Sequence, residues 1–146
     1  MTREGAPGAS KPDGTRVITF GTFDLFHLGH LNLLRRAKAL GDWLIVGISS
    51  DDLNERKKQR KPFFSIGERL AIVGDIRCVD DVFVEESLEL KGDYIARHRA
   101  DVLVMGDDWQ GRFDQFSSQC RVVYLPRTPE ISSTQIMTLV RTSHAA

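Results

Sequence analysis

Short apolar runs alternate along this chain with segments whose apolar residues recur every three or four positions. The runs are typical of buried strands and lie at 17–20, 43–49, 79–84, 102–105 and 121–125. The spaced segments predict helices at 30–40, 65–76 and 89–99, and a last helix from Ser132 or Ser133 to about 140. Ser65 and Glu68 have the spacing of a capping box, which supports the second helix. This order predicts an α/β fold: a Rossmann-like doubly wound parallel sheet of about five strands with helices on both faces, in a single domain.

Composition predicts a tail at each end of the chain and argues against nucleic acid and membranes as partners. Residues 1–14 are rich in Gly, Pro and Ser and predict a disordered tail, 15–142 form the domain, and 143–146 are a short C-terminal tail. Twenty basic residues balance twenty acidic ones, so no overall charge points to nucleic acid or to an anionic membrane. No apolar run approaches the roughly 20 residues of a membrane span. Two isolated cysteines, Cys78 and Cys120, form no disulfide framework. We expect a soluble cytoplasmic protein.

The segment from Gly21 to His30, Gly-Thr-Phe-Asp-Leu-Phe-His-Leu-Gly-His, lies where the first strand ends and the first helix begins. Backbone N–H groups are unpaired at a helix N-terminus, and the helix dipole favours anions there. Gly21 and Gly29 carry no side chain and allow a phosphate to approach the backbone closely. The segment therefore predicts a phosphate site to which His27 and His30 add donors.

The histidine pair has two alternative interpretations. His-x-x-His occurs by chance and in packed structure, and it also occurs in zinc sites. A zinc site needs at least a third protein ligand, and neither cysteine has the spacing of a metal motif. The strand–loop–helix context favours the phosphate site over both.

Two further polar segments follow predicted strands. Asp107 to Trp109 follow the fourth strand, and Arg127 to Ser133 follow the fifth. Ligands of parallel sheets bind outside the carboxyl ends of the strands. The topology therefore predicts that both segments meet the histidines at one edge of the sheet.

These segments carry a resemblance to a known family. Gly-Thr-Phe-Asp followed by His-x-Gly-His resembles the signature of the nucleotidylyltransferase superfamily. Met105-Gly-Asp-Asp-Trp109 and the segment from Tyr124 to Thr134 are similar to the cytidylyltransferases, and within them to those that act on glycerol 3-phosphate. The resemblance runs from about Val17 to Val140. It implies transfer of CMP from CTP to glycerol 3-phosphate, with CDP-glycerol and pyrophosphate as products, Mg²⁺ arriving with the triphosphate, and a homodimer.

The resemblance also assigns roles to residues, without a dedicated metal ligand. The implied catalytic residues are His27, His30, Lys58, Lys61 and Arg127. The implied nucleotide-binding residues are Gly21, Thr22, Phe23, His27, His30, Gly106, Asp107, Arg127, Ile131, Ser132 and Ser133. The implied acceptor-binding residues are Asp24, Arg69, Arg77, Asp108 and Trp109. Core packing is the alternative for Trp109, and an exposed helix position is the alternative for Arg69. His98 and His144 lie outside these motifs and are predicted to be surface residues.

The basic run from Arg56 to Lys61 holds five bases in six residues. A charge run is usually a solvated face. Here it lies in a polar stretch, 50–62, that we expect to be a loop beside the nucleotide edge, where it suits a phosphate clamp or a mobile lid. The run has one residue more than the resemblance predicts, so Lys57 and Lys58 compete for one role.

The last segment departs from the family pattern Arg-Thr-Glu-Gly-Ile-Ser-Thr-Thr. Pro129 and Glu130 replace Glu-Gly, and Ser133 replaces a threonine while keeping the hydroxyl. The loss of the glycine and the added carboxylate bear on the substrate more than on the reaction. Two alternative functions therefore stay open: the same reaction with another acceptor (ethanolamine phosphate, a phosphonate, another polyol phosphate) or with ATP, and a regulatory domain that binds a nucleotide without turnover.

Overall fold

The computed structural model describes residues 14–128 and 132–145. Its centre is a parallel sheet of five strands in the order β3-β2-β1-β4-β5. The strands are β1 Arg16–Gly21, β2 Trp43–Ser49, β3 Asp81–Glu85, β4 Val102–Gly106 and β5 Arg121–Leu125. The helices are α1 Leu28–Lys38, α2 Asp51–Lys58, α3 Ile66–Gly74, α4 Lys91–Arg97 and α5 Ser133–Ala145. Short 3₁₀ turns occupy Leu88–Leu90, Asp107–Trp109 and Asp114–Ser118. The predicted doubly wound α/β fold is confirmed.

The two faces of the sheet are covered by different helices. Alternate residues of β1 point to opposite sides: Val17 packs in the cluster that contains Leu34 of α1 and Val73 of α3. Ile18 packs in the cluster that contains Tyr94 of α4. The inner strands β1, β2 and β4 are buried on both faces along most of their length, which is why they are apolar runs in the sequence.

One predicted loop is a helix. The polar stretch after β2 forms α2, which the apolar pattern missed because Leu53 is its one buried apolar residue. The Ser50 hydroxyl accepts a hydrogen bond from the backbone N–H of Leu53, and two acidic residues occupy the first turn. Both features stabilise a helix N-terminus. Local capping therefore produces this helix without an apolar face.

The chain ends differ from the sequence interpretation in one respect. The α5 helix continues to Ala145, into the segment predicted as a C-terminal tail. The Ser132 hydroxyl accepts a hydrogen bond from the backbone N–H of Gln135, so Ser132 caps this helix. The predicted N-terminal tail lies outside the described residues, except for Gly14. Within 14–128 and 132–145, no helix is both long and apolar enough to cross a membrane.

Candidate active site

A cavity of about 720 Å³ opens at the carboxyl edge of the sheet, where β1 and β4 lie side by side. The three segments expected at this edge all contribute to it, together with the end of α2. The predicted site residues that line it are Gly21, Thr22, Phe23, Asp24, His27, His30, Lys58, Lys61, Gly106, Asp108, Trp109, Arg127, Ser132 and Ser133. The topology thus brings together residues far apart in sequence.

His27 and His30 cap the first turn of α1 reciprocally. The Nδ1 atom of His27 accepts a hydrogen bond from the backbone N–H of Gly29 at 3.0 Å. The Nδ1 atom of His30 accepts one from the backbone N–H of His27 at 3.1 Å. The two rings are stacked with their centroids 3.9 Å apart.

This arrangement determines the tautomer of both imidazoles. Because each Nδ1 is an acceptor, the proton of each neutral ring lies on Nε2, which becomes the donor. Burial, reinforced by His27, lowers the pKa of His30 to about 3. Burial and Arg127 also lower the pKa of His27. At neutral pH the pair therefore offers two uncharged Nε2–H donors.

The turn after β1 is held to α2 by a small polar network. The Thr22 hydroxyl donates to Asn54 Oδ1 at 2.8 Å. The buried Asn54 amide donates to the Ser49 hydroxyl at 2.7 Å and to the backbone carbonyls of Ser49 and Ser50. This network orients the last turn of α2, where the Lys58 ammonium lies 3.5 Å from the Thr22 hydroxyl.

The two competing lysines face different groups. The charges of Arg60 and Asp24 act on Lys58, and the charge of Lys58 acts on His30. The charges of Glu85 and Lys91 act on Lys57, as does that of Lys58. Burial is the main cause that lowers the pKa of each lysine. Lys58 thus belongs with the histidines, and Lys57 lies towards the β3 side of the cavity.

Lys61 and the rest of the basic run are more exposed. The α2 helix ends at Gln59, whose backbone adopts the left-handed conformation, and the chain then turns. The Lys61 side chain is 71% exposed and lies 3.9 Å from the Glu55 carboxylate. The basic run is therefore half helix and half loop.

The Asp24 carboxylate accepts hydrogen bonds from the protein backbone. Its two oxygens accept hydrogen bonds from the backbone N–H groups of Phe63 and Phe64, at 2.6 and 2.8 Å. It thereby ties the turn after β1 to the segment that follows the basic run. Asp24 also lines the cavity, so it has a structural role there beside the predicted acceptor-binding role.

The segment after β5 is anchored on α1. The Asn32 side-chain amide donates to the Thr128 hydroxyl at 3.2 Å, and Arg36 donates to the backbone carbonyl of Pro126 at 2.9 Å. These bonds hold Arg127 at the rim of the cavity, opposite β3. Pro129, Glu130 and the predicted nucleotide-binding Ile131 lie outside the described residues.

Trp109 lines the cavity and is 37% exposed, so it is not core. Its ring lies 5.7 Å from the Phe113 ring and 5.6 Å from the Arg112 guanidinium. Asp108 also lines the cavity, whereas the exposed Asp107 does not contribute to its wall. An added Cβ at Gly106 would lie 2.8 Å from an Asp108 carboxylate oxygen, so a side chain there would displace the exposed Asp108 carboxylate.

The structure places two predicted acceptor-binding arginines away from the cavity wall. Arg69 is fully buried and donates to the backbone carbonyls of Thr22, Ser49 and Phe64 and to the Asp51 carboxylate. These partners within the protein occupy its guanidinium, so it joins three loops instead of facing a ligand. Arg77 is exposed and follows α3, just before β3 begins, at the opposite edge of the sheet.

His98, which is predicted to be a surface residue, is half-buried, and its ring is stacked on that of Phe83 with the centroids 4.4 Å apart. Burial lowers its pKa. The side chain of His144 lies outside the described residues.

The sequence interpretation missed an ion pair in the cavity wall. Lys91 Nζ lies 2.9 Å from Glu85 Oε2, and both side chains are almost completely buried. Glu85 is the last residue of β3 and so lies at the carboxyl edge of the sheet, a position that the sequence pattern could have indicated. The sequence pattern does not indicate Asn54 either, because it predicts a loop where α2 lies. Among the described residues no group of three or more His, Cys, Asp or Glu is arranged to hold a metal ion.

Fold and site together define a doubly wound α/β domain with a cavity at the carboxyl edge of its sheet, lined by two histidines and several cationic side chains. The model of the cytidylyltransferase-like family matches residues 18–139. The chain belongs to this family of nucleotidyltransferases.

Curated relatives cover most of the chain. It is 54% identical over 121 residues to the glycerol-3-phosphate cytidylyltransferase of Bacillus subtilis (strain 168), covering 83% of this chain and 93% of the relative. It is 46% identical to the enzyme of the same name from Staphylococcus aureus, covering 83% and 91%. A solved lipopolysaccharide core biosynthesis protein from Thermoplasma volcanium shares the fold, with a TM-score of 0.67, 24% identity, and coverage of 79% of this chain and 98% of that one.

Proposed function

We propose that this protein transfers CMP from CTP to glycerol 3-phosphate and releases CDP-glycerol and pyrophosphate. The observation that carries the proposal is the 54% identity to a glycerol-3-phosphate cytidylyltransferase over 93% of that enzyme's length. The cavity supports it, because its walls carry both neutral and cationic donors for phosphate oxygens.

The reaction is an in-line displacement at phosphorus. An oxygen of the acceptor phosphate forms a bond to the α-phosphorus of CTP, and the bond between that phosphorus and the bridging oxygen to the β-phosphate breaks. The acceptor phosphate is already ionised at neutral pH, so no strong general base is needed. Catalysis then depends on positioning the reactants and on donors that meet the growing charge. The Nε2–H groups of His27 and His30 supply such donors without adding a charge.

We assign the leaving pyrophosphate and the incoming acceptor to opposite sides of the histidine pair. Pyrophosphate leaves on the side of Arg127 and the N-terminus of α5, where Ser132 and Ser133 line the cavity. The acceptor approaches from the opposite side, past Lys58 and Lys57. Their ammonium groups neutralise the repulsion between the acceptor phosphate and the triphosphate.

Three further features are proposed with this function. Mg²⁺ enters as part of the substrate, bound to the triphosphate oxygens that it prefers as ligands.

The protein forms a homodimer, for which the exposed apolar side chains of Leu28 and Phe63 provide contact area; sedimentation velocity tests this directly. It acts in the cytoplasm.

The test is a matrix of turnover assays. The protein is incubated with Mg²⁺, each of the four nucleoside triphosphates, and glycerol 3-phosphate, ethanolamine phosphate or a polyol phosphate, and pyrophosphate is measured. We expect turnover with CTP and glycerol 3-phosphate. Turnover with another acceptor or with ATP would contradict the proposed substrates, while nucleotidyl transfer would remain the reaction. Tight CTP binding without pyrophosphate from any acceptor establishes a regulatory domain instead.

A further inference from the structure

Two side chains of α1 contact the segment that follows β5. The Asn32 side-chain amide donates to the Thr128 hydroxyl at 3.2 Å, and the Arg36 guanidinium donates to the backbone carbonyl of Pro126 at 2.9 Å. Asn32 and Arg36 are four positions apart, so they lie on the same face of the helix. Their two partners flank Arg127 on either side in the sequence. The contacts therefore restrain the backbone that carries Arg127.

The Arg127 side chain is not used by the fold. It is exposed at the rim of the cavity, and its guanidinium has no hydrogen-bond or ion-pair partner among residues 14–128 and 132–145. Its charge nevertheless acts on His27. A guanidinium presents its N–H donors in a fixed fork that matches phosphate oxygens. The α1 helix thus restrains the backbone of Arg127 and leaves the donors of its side chain available to a ligand.

The same helix carries the histidine pair. His27 is the N-cap of α1, and His30 lies in its first turn. A helix rises 1.5 Å per residue, so the stretch from His27 to Arg36 extends over about 14 Å of one continuous helix. The distance between the histidine donors and the backbone of Arg127 is therefore set by α1. In a displacement at phosphorus, an error of about 1 Å in such a distance is enough to lower the rate.

The two contacts contribute little to stability. Arg36 is exposed, and Asn32 is only partly buried. Removing either side chain therefore leaves its former partner within reach of water, which keeps the cost in unfolding free energy small. A loss of rate on their removal can be separated from unfolding.

We propose that Asn32 and Arg36 are positioning residues that hold Arg127 in place for the leaving pyrophosphate. This inference rests on the proposed cytidylyl transfer. Without the two contacts, the backbone at 126–128 gains freedom, and the Arg127 guanidinium meets the developing charge of the pyrophosphate in only a fraction of its positions. The acceptor approaches on the other side of the histidine pair, so its binding does not depend on these contacts.

The experiment removes the contacts one at a time and together. The variants are Asn32→Ala, Arg36→Met and the double variant Asn32→Ala/Arg36→Met, and Arg36→Lys tests for rescue because it keeps a donor. Each is also made in an Arg127→Ala background. The matched control is Arg35→Met, which removes the same charge from the neighbouring exposed residue of α1. Urea unfolding of each variant checks that it is folded.

We expect the double variant to lower the single-turnover rate with CTP and glycerol 3-phosphate by about tenfold and each single variant by about threefold, the range of ordinary hydrogen bonds. KM for glycerol 3-phosphate stays within about twofold. In the reverse direction, KM for pyrophosphate rises about fivefold in the double variant, whereas KM for CDP-glycerol stays within about twofold. Arg36→Lys recovers most of the rate, and Arg35→Met leaves all of these values unchanged.

The Arg127→Ala background decides whether the two residues act through Arg127. If they do, the double variant causes no further loss of rate in this background, because the group that it positions is already absent. Calorimetric titration with pyrophosphate gives the same comparison without turnover. The double variant should weaken pyrophosphate binding only when Arg127 is present.

The outcomes separate this inference from the proposed function. An equal loss of rate with and without Arg127, or a loss that lies entirely in KM for glycerol 3-phosphate, shows that the inference is wrong, although cytidylyl transfer stands. If the wild type releases no pyrophosphate with CTP and any acceptor, the proposed function itself fails. The calorimetric comparison then still tests whether Asn32 and Arg36 position Arg127.

Discussion

The hydroxyl of Ser133 donates a 2.6 Å hydrogen bond to the backbone carbonyl of Asp24, a residue 109 positions away in sequence. This bond joins the start of α5 to the turn after β1. The Asp24 carboxylate joins the same turn to the amides of Phe63 and Phe64. Asp24 therefore joins three segments of the chain: the turn after β1, the start of α5 and the segment before α3.

Asp24→Ala is expected to loosen the segment before α3. The change leaves two backbone amides without their acceptor, which costs about 1–3 kcal/mol of unfolding free energy. Hydrogen exchange at Phe63 and Phe64 should accelerate, and kcat/KM should fall for both substrates. A selective rise in KM for the acceptor alone, with unchanged exchange at both amides, would show that Asp24 binds ligand instead.

His30→Ala is expected to lower kcat by about 100-fold with little change in CTP binding, because it removes a donor that acts on developing charge. Steady-state kinetics and calorimetric titration with CTP measure the two effects. His98→Ala is the matched control, since this histidine lies outside the cavity. An equal loss in kcat and in CTP affinity would make His30 a binding residue.

The depressed pKa of His30 makes stability depend on pH. Its pKa is about 3 in the folded protein and about 6.5 in the unfolded chain. Between these values the unfolded chain binds the extra proton, so this contribution is complete above pH 6.5 and is lost as pH falls. From pH 7.5 to 5 we expect urea unfolding to show a loss about 2 kcal/mol larger for wild type than for His30→Gln. Equal losses would contradict a neutral, buried His30.

The two lysines at the end of α2 should separate kinetically. Lys58→Ala is expected to lower kcat by about 100-fold, because Lys58 stands with Thr22 and His30. Lys57→Ala should mainly raise KM for the acceptor. Arg56→Ala serves as the control from the same helix, since its guanidinium donates to the Glu86 carbonyl outside the cavity. The reverse pattern would exchange the roles of Lys57 and Lys58.

Arg69→Met is expected to lower the free energy of unfolding by about 3–5 kcal/mol, because the Asp51 carboxylate loses its partner and three carbonyls lose their donor. Thermal and urea unfolding measure this. The exposed Arg77→Met should change it by less than about 0.5 kcal/mol. A stable Arg69→Met protein with a raised KM for glycerol 3-phosphate would restore Arg69 to the binding site.

The strands were predicted well and α2 was not, for one physical reason. A strand buried on both faces must be apolar throughout, so β2 is visible as a run of residues. The α2 helix is stabilised by the Ser50 cap, two acidic residues and the buried Asn54, and its sequence shows no helical repeat of apolar residues. Periodicity detects burial, and it does not detect a helix that capping and polar contacts stabilise.

What the sequence by itself determined is the order of the strands and of the helices α1, α3, α4 and α5, together with the position of the two histidines between β1 and α1, because these depend on local patterns. Only the tertiary structure decided which charged side chains remain available to a ligand. Arg69 and Asp24 are occupied by backbone groups 20 and 39 positions away, whereas Lys58 faces the histidines and Glu85 and Lys91 form a buried pair in the wall. The chemistry of a charged residue depends on such distant partners, which residue type and spacing do not specify.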